Sequence, residues 1–379
     1  QDDLDMRLSA LQRAHGTWKD LGGQAGNAQR MSPSRRIGVA LRSIGSLRLD
    51  ADEGAVLRVL NRQPPVHLDD VDWIDSSNAG LGPAPCAHMT PKATHIRHIE
   101  GPASWRSRAL TTLLRVASHG RLRQDVDLAA LRQRYEAFDA RHAPVEPGMV
   151  REAVQCNGVA AEWVSVPESR PDRTLLYLHG GSFAFRFPNT HAAFAARMCR
   201  LLGARALVPD YRLAPEYPFP AAPDDCQTVY RWLLASGCPP HSLVVMGDSA
   251  GGCLALVTLT RARQAHDPQP ACAVLLSPAV DCTFDSHSMV DNEGRDPLFR
   301  LSDLLVLRRQ YVPSPYLYTH PEVSPLFADF DGLAPLLLQV GSNEMLRDEA
   351  IRTTNKAHAA GVDVELELWP DMPHVFQRF

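Results

Sequence analysis

Apolar runs that alternate with helical segments are the feature that most restricts the fold of this chain. From Arg151 onward the runs read AEWVSV, TLLYL, ARALV, SLVVM, ACAVLL, PLLLQV and VELELW, and segments such as AAFAARMCRLLG and DDCQTVYRWLLA lie between them. Several runs are apolar at every position, which is typical of strands that helices cover on both faces. The pattern predicts an α/β fold with a mostly parallel central sheet and helices on both faces.

The chain before this pattern is less regular. Residues 1–109 are rich in Arg, Pro, Gly and His and keep neither a helical nor a strand period, so we assign them no fold; this composition is compatible with a partly disordered extension. Helical character begins near Leu110, and Asp127 is a candidate N-cap of an amphipathic helix. One face of that helix carries Leu128, Leu131, Tyr135 and Phe138. We expect residues 148–379 to form the core domain.

Composition and charge exclude several functional classes. The net charge of the 379 residues is −4, which does not suggest a nucleic-acid partner. No run approaches the roughly 18 apolar residues that cross a bilayer, and the N-terminal QDDLDMRLSA does not resemble a secretion signal. The eight cysteines form no CxxC pair and lie mostly in apolar stretches, which favours buried thiols in a reducing compartment. We therefore predict a cytoplasmic protein, and a homodimer is compatible with the sequence.

The segment VVMGDSAGG contains the strongest candidate for a reactive side chain. Its Gly247–Gly251 portion fits the pattern G-x-S-x-G, with an apolar strand before it and a helix-compatible stretch after it. Small residues at such a corner allow the strand and the helix to approach each other and leave Ser249 exposed at the end of the strand. An incidental serine in a glycine turn is the alternative, and the flanking strand and helix argue against it.

A nucleophilic serine needs a histidine base that a carboxylate orients. His374 follows the strand VELELW, downstream of Ser249, whereas His241 lies at the opposite strand end. Two carboxylates follow the strand PLLLQV, namely Glu344 and Asp348. We favour Glu344 because its longer side chain can reach the imidazole from the loop, and we retain Asp348, which is expected to brace a helix, as the alternative acid.

Acyl transfer also needs hydrogen-bond donors for the oxyanion that develops on the carbonyl group. The segment HGGSF follows the strand TLLYL directly, and its small residues leave backbone N–H groups accessible. The N–H of the residue after the nucleophile is a further donor of this kind. The predicted oxyanion-hole residues are Gly180, Gly181, Ser182 and Ala250.

Six segments together resemble the hormone-sensitive-lipase-like carboxylesterases, the HGGG-type bacterial family IV of the α/β-hydrolases. The segments are HGGSF, DYRLAPEYPFPAA, GDSAGG, SPLF, GSNEMLRDEA and DMPHVFQRF, and they cover roughly the last two-thirds of the chain. The resemblance implies an α/β-hydrolase fold with Ser249 as nucleophile and His374 as base. It also implies hydrolysis of short- to medium-chain esters of small molecules, with no metal and no cofactor.

The resemblance implies two further features of the architecture. A helical cap would comprise residues 110–147 and an insertion at about 282–320. The segment DYRLAPE, with Tyr211, Arg212 and Glu216, would brace the loops beneath the site.

The sequence departs from the family pattern at three places. Ser182 stands where the third glycine of HGGG is usual and adds a side chain that would limit bulky substrates, and Glu344 stands where Asp is more common. The chain ends at Phe379, where similar proteins continue into a helix that packs on the sheet. We therefore expect either low stability or a compensating contact, from a neighbouring molecule or from the N-terminal extension.

Two other functions use the same fold. An amide hydrolase similar to arylacetamide deacetylase would use identical residues, so the sequence does not separate it from an esterase. A catalytically silent receptor, similar to the plant gibberellin receptors, would lack the base, and the presence of His374 argues against that reading.

Overall fold

The structure is a computed structural model that describes residues 95–101, 103–117, 122 and 126–379. Most of the predicted N-terminal extension, residues 1–94, lies outside the described residues. Within the described part the strands are β1 (Ile96–His98), β2 (Val150–Cys156), β3 (Val159–Ser165), β4 (Thr174–Leu178), β5 (Arg205–Pro209), β6 (Leu243–Asp248), β7 (Cys272–Leu276), β8 (Leu336–Gly341) and β9 (Val364–Trp369). The helices are α1 (Trp105–Ala117), α2 (Leu128–His142), α3 (Pro188–Leu202), α4 (Ala221–Ala235), α5 (Ala250–Gln264), α6 (Ser288–Asp291), α7 (Leu301–Tyr311) and α8 (Arg347–Ala359).

All nine of these strands form one sheet, in the order β1-β9-β8-β7-β6-β4-β5-β3-β2. The pairs β2–β3 and β3–β5 are antiparallel, and the other neighbouring strands are parallel. The predicted α/β fold with a mostly parallel sheet is therefore confirmed. Because β6, β7, β8 and β9 are adjacent and parallel, the loops that follow them lie along one edge of the sheet.

The core lies on both faces of this sheet. Every residue of β4 is buried, and its side chains alternate between two apolar clusters. Leu176 and Leu178 belong to the cluster that includes residues of α4 and α5, whereas Leu175 and Tyr177 pack with Phe194 of α3. Burial on both faces explains why these strands are apolar at every position rather than at alternate ones.

The first described residues belong to the sheet, although the sequence analysis assigned no fold to residues 1–109. Strand β1 pairs in parallel with β9, with Ile96 opposite Leu366. Helix α1 packs its Leu110 and Leu114 against Leu298 and Phe379. A three-residue strand is too short to show a period, and it is specified by its long-range partner instead.

The N-terminal segment also covers the apolar surface near the last strand. Ile99 packs against the buried cluster of Trp369, Met372 and Phe376, and the hydroxyl of Ser107 lies 3.0 Å from the sulfur of Met372. Residues of the N-terminal segment therefore cover part of this apolar cluster.

The seven cysteines in the described part of the chain are all free thiols. Six of them are buried and Cys238 is half-buried, which agrees with the prediction of buried thiols. Burial raises the pKa of Cys253 well above its usual value, so this thiol stays protonated at neutral pH. No helix among the described residues has the length and apolar character needed to span a membrane.

Candidate active site

Ser249 lies at the tight corner between β6 and α5. Its backbone has φ 55° and ψ −120°, a conformation that costs a non-glycine residue about 1–3 kcal/mol. A side chain on Gly251 would overlap the carbonyl group of Leu178, so the close approach of α5 to β4 requires glycine there. The structure thus gives the steric reason for the G-x-S-x-G pattern.

Hydrogen bonds hold the backbone of this strained corner in place. The N–H of Ser249 donates to the carbonyl of Leu276 at 2.8 Å. The carbonyl of Ser249 accepts from the N–H groups of Gly252, Cys253 and Ala279 at 3.0, 3.2 and 3.1 Å. Ser249 is therefore anchored to its own helix and to the segment that follows β7.

The structure brings Glu344 and His374 into direct contact. Glu344 Oε2 and His374 Nδ1 lie 2.8 Å apart, and both side chains are buried, with relative exposures of 0% and 6%. Asp348 is engaged elsewhere: it accepts from the N–H of Ser288 at 2.9 Å and pairs with Arg347 at 2.8 Å. Of the two candidate acids, Glu344 alone contacts the imidazole in this structure.

The other ring nitrogen of His374 has a different environment. Because Nδ1 faces a carboxylate oxygen, we assign the proton to Nδ1, which leaves a lone pair on Nε2. Among the described residues, Nε2 has no hydrogen-bond partner. The ring of Phe299 packs against the imidazole at an angle of 66°, with the ring centroids 4.6 Å apart. His374 therefore offers a buried basic nitrogen at the edge of the sheet that also carries Ser249.

Ser277 is a site residue that the sequence analysis missed. It follows β7 directly, and its hydroxyl donates to Glu344 Oε1 at 2.9 Å while it accepts from the N–H of Val375 at 3.1 Å. One side chain thus joins the acid to the residue after His374. Its position just past the end of a neighbouring strand was the available signal.

The insertion before β8 also contributes to this site. Asp296 accepts from the N–H of Met345 at 3.0 Å and from the N–H groups of Leu298 and Phe299 at 2.9 and 3.1 Å. Burial raises the pKa of the Asp296 carboxyl, and the nearby His374 opposes that rise. Asn292 donates to the carbonyl of Glu344 at 2.8 Å. The insertion therefore holds the loop of the acid in place.

One predicted oxyanion-hole residue has another role. The N–H of Gly180 donates to Asp248 Oδ1 at 2.9 Å, and the hydroxyl of Tyr177 donates to the same oxygen at 2.6 Å. Asp248 is fully buried and directly precedes Ser249. In this structure the N–H of Gly180 is therefore not free to bind an oxyanion, and it instead ties the HGGSF loop to the nucleophile corner.

The N–H groups of Gly181, Ser182 and Ala250 remain as donors, since none of the described residues accepts a hydrogen bond from them. Gly181 has φ 127° and Ser182 has φ 54°, so both lie in the left-handed region that favours glycine. Ser182 therefore departs from the HGGG pattern at a position where its backbone conformation is strained. Ala250 begins α5, where backbone N–H groups have no partner within the helix.

The segment DYRLAPE makes the bracing contacts that were expected of it. The hydroxyl of Tyr211 donates to the carbonyl of His179 at 2.7 Å, beneath the HGGSF loop. Arg212 pairs with Asp225 of α4 at 2.7 Å. Glu216 pairs with Arg132 of α2 at 2.9 Å.

Comparison with known proteins identifies the family. A family model described as the alpha/beta hydrolase fold matches residues 175–378. An acetyl-hydrolase of Streptomyces hygroscopicus is 41% identical over 244 residues, which are 64% of this chain and 79% of the relative. The chain belongs to the α/β-hydrolase fold family. An esterase of Acinetobacter venetianus is 35% identical over 236 residues, covering 62% of this hydrolase and 78% of the relative.

Solved structures of bacterial esterases superpose on this α/β-hydrolase. A crystal structure of an esterase from the bacterial hormone-sensitive lipase family superposes with a TM-score of 0.67 at 39% identity, covering 73% of this chain and 92% of that one. The esterase EstE5, soaked with p-nitrophenyl butyrate, superposes with a TM-score of 0.69 at 38% identity over the same shares of the two chains. The protein is thus a carboxylic ester hydrolase similar to hormone-sensitive lipase.

Proposed function

We propose that this hydrolase is a serine carboxylesterase that cleaves short- to medium-chain acyl esters through an acyl-enzyme intermediate. The buried contact of 2.8 Å between Glu344 and His374 carries the proposal, because it orients a basic nitrogen on the sheet edge where Ser249 forms the strained corner. We assign Ser249 as nucleophile, His374 as general base and Glu344 as the acid of the triad.

In the first half of the reaction, the Ser249 hydroxyl attacks the ester carbonyl carbon and its proton passes to His374 Nε2. The carbonyl oxygen becomes an oxyanion, and the N–H groups of Gly181, Ser182 and Ala250 stabilise it. Glu344 stabilises the imidazolium that forms. His374 then gives its proton to the alcohol oxygen as the carbon–oxygen bond breaks, which leaves the acyl group on Ser249.

In the second half, water replaces the alcohol. His374 takes a proton from the water as its oxygen attacks the acyl carbon, and the same donors stabilise the second oxyanion. His374 returns that proton to the Ser249 oxygen when the acyl bond breaks, so the carboxylic acid leaves and the enzyme is regenerated.

We also propose that the residues around 110–147 and about 282–320 form one cap over the site. Leu128 of α2 and Leu307 of α7 belong to one buried apolar cluster with Ala184 and Phe185, which lie just beyond the HGGSF loop. Phe183 of that loop stacks on Tyr311 of α7 with the ring centroids 3.8 Å apart. Such close packing of aromatic rings beside the oxyanion donors supports a narrow acyl site, as does the acetyl-hydrolase name of the Streptomyces relative.

Ser249→Ala tests the mechanism. It should lower turnover of p-nitrophenyl acetate by about 10⁴- to 10⁶-fold and abolish labelling by a fluorophosphonate, while thermal unfolding stays close to that of the parent protein. The matched control is Ser236→Ala, which changes an exposed serine at the end of α4. Retained turnover in folded Ser249→Ala would refute the serine mechanism.

A series of p-nitrophenyl esters from acetate to dodecanoate tests the substrate class. We expect kcat/KM to be highest for acyl chains of two to about eight carbons, because the aromatic packing beside the site limits its length. A maximum at dodecanoate would contradict this part of the proposal. The cytoplasmic location and the homodimer stay predictions from the sequence.

A further inference from the structure

Helix α2 carries three polar side chains that all bind one short segment of the core. Arg132, Glu136 and Asp139 are spaced four and three residues apart, so they lie on one face of the helix. Their partners fall within residues 184–190, directly after the HGGSF loop, and in the DYRLAPE segment. The helix is therefore fastened along its length to the chain that supplies the oxyanion donors.

Arg132 makes the contacts closest to those donors. Its Nε donates to the carbonyl of Ala184 at 2.7 Å, and its Nη2 donates to the carbonyl of Ala214 at 2.5 Å. The same guanidinium pairs with Glu216 at 2.9 and 3.1 Å. The Arg132 side chain is only 15% exposed, and its two bonds to carbonyl groups are partly buried, whereas Glu216 is 40% exposed. The fork of donors in a guanidinium suits this kind of fixed, multiple contact.

The two carbonyls that Arg132 binds belong to residues that are hydrogen-bonded to the oxyanion loop. The N–H groups of Ala184 and Phe185 both donate to the carbonyl of Gly181, at 3.0 and 2.8 Å, so Ala184 is part of the same turn as Gly181. The N–H of Ala214 donates to the carbonyl of Phe183 at 2.9 Å. A shift of Arg132 would therefore be transmitted directly to the peptides that carry the Gly181 and Ser182 donors.

The rest of the helix holds the far end of the segment. Glu136 pairs with Arg186 at 2.7 Å. Asp139 is buried and accepts from the N–H groups of Asn189 and Thr190 at 2.7 and 3.0 Å. These N–H groups belong to the first turn of α3, whose own N-cap residue makes no side-chain bond to it. Asp139 thus caps α3 from another helix.

We propose that Arg132 is a positioning residue for the oxyanion hole, so that helix α2 contributes to transition-state stabilisation as well as covering the site. This inference rests on the serine esterase function proposed above. It assigns to Arg132 no contact with the substrate. Its effect comes from fixing the peptides of Gly181 and Ser182, which both have positive φ; at Ser182 this conformation is strained and needs support from neighbouring groups.

The test replaces Arg132 by glutamine in the full chain and uses p-nitrophenyl acetate as substrate. Removal of one oxyanion donor lowers turnover by about 10²- to 10³-fold, and Arg132→Gln displaces donors without removing them, so we expect kcat/KM to fall about 10- to 100-fold. Arg132→Lys keeps the charge but loses the forked set of donors, so its kcat/KM should fall less than that of Arg132→Gln. Arg132→Lys is also the variant to use if Arg132→Gln does not fold.

A matched control separates this role from general loss of an ion pair. Arg263 of α5 makes contacts of the same kinds, because its Nε donates to the carbonyl of Asp331 at 2.6 Å and its Nη2 pairs with the carboxylate of Asp331 at 2.9 Å. Neither residue contacts the HGGSF loop in the structure. Arg263→Gln should therefore change kcat/KM by less than about 2-fold.

A pair of inhibitors gives the readout that a purely structural role would not move. An alkyl trifluoromethyl ketone forms a tetrahedral adduct with the serine and places an oxyanion among the donors, whereas the corresponding methyl ketone binds without that adduct. For Arg132→Gln, the Ki of the trifluoromethyl ketone should rise by the factor that kcat/KM loses, and the Ki of the methyl ketone by less than about 3-fold.

Several outcomes would overturn the positioning role, and one would overturn the proposed function as well. Equal weakening of both ketones, a loss confined to KM, or an equal loss in Arg263→Gln would overturn the positioning role. Parent-level kcat/KM in folded Arg132→Gln and Arg132→Lys would overturn it as well. If the parent protein itself neither hydrolyses the ester nor reacts with a fluorophosphonate, the proposed function fails, and the positioning role fails with it.

Discussion

Replacement of Ser277 by alanine should weaken both the fold and the catalytic pair. The Ser277 hydroxyl bonds to Glu344 Oε1 at 2.9 Å and accepts from the N–H of Val375 at 3.1 Å, so Ser277→Ala removes two hydrogen bonds at once. Glu344 is 0% exposed and Val375 is 3% exposed. Water cannot readily take the place of the hydroxyl at either group.

The size of the effect follows from these two bonds. A hydrogen bond to a charged group contributes about 1.5–3 kcal/mol, and a buried N–H left without a partner costs about 1–3 kcal/mol. We therefore expect the free energy of unfolding to fall by about 3–5 kcal/mol, which corresponds to a decrease in Tm of roughly 5–9 °C at an unfolding entropy of about 2.1 cal/mol/K per residue. If the less restrained carboxylate raises the activation barrier by about 1–3 kcal/mol, kcat falls about 5- to 160-fold.

Ser277→Gly is the matched variant. It removes the same hydroxyl but leaves no side chain at this position, where the backbone φ is 46°. Glycine tolerates this conformation, so Ser277→Gly should be more stable than Ser277→Ala by about 1 kcal/mol and equally impaired in kcat. Urea unfolding and turnover of p-nitrophenyl acetate measure the two quantities. A Ser277→Ala protein with the parent unfolding midpoint and the parent kcat would show that the hydroxyl does not restrain Glu344.

Three further variants test other parts of the site and the fold. Glu344→Gln should lower kcat by about 10²- to 10⁴-fold because His374 loses its buried carboxylate, whereas Asp348→Asn should stay within about 3-fold; the reverse order in a p-nitrophenyl acetate assay would make Asp348 the acid. Burial holds the pKa of His191 well below its usual value, so below about pH 6.5 the unfolded chain binds a proton at this side chain more readily than the folded protein does. The contribution of His191 to the free energy of unfolding is therefore fully present above about pH 6.5 and is lost as the pH falls further. His191→Phe should flatten this loss by up to about 1.4 kcal/mol per pH unit, and an unchanged slope in urea unfolding between pH 5 and pH 7 would contradict the assignment.

The features that the sequence predicts well are those with a local signal. Each central strand is a continuous apolar run, and Ser249 is marked by glycines that the close approach of α5 to β4 requires. Glu344 and His374 each follow such a strand, and parallel strands bring their carboxyl ends to one edge. For these residues the order along the chain and the topology of the sheet are enough to predict the neighbourhood.

Other features depend on contacts between distant parts of the chain. Strand β1 is too short to show a period and is defined by its pairing with β9. In that pairing Ile96 lies opposite Leu366, which is 270 residues later in the chain. Gly180 has the expected residue type, but its N–H is taken by Asp248, which only the three-dimensional arrangement reveals. Arg132 is one of many arginines in the sequence, and its importance comes from two carbonyls that lie 52 and 82 residues away.

The use of glutamate as the candidate acid also has a structural reason. The side chain of Glu344 folds back over its own loop, so that Oε1 accepts from the N–H of Gly341 and from Ser277 while Oε2 faces His374. A side chain on Gly341 would overlap the carbonyl of Met372, so glycine is needed where the loop of the acid meets the loop of His374. On this backbone an aspartate, shorter by one methylene group, could not keep both oxygens in these contacts. An aspartate at this position would therefore need a loop that lies closer to the histidine, so the length of the acid and the path of its loop would have to change together.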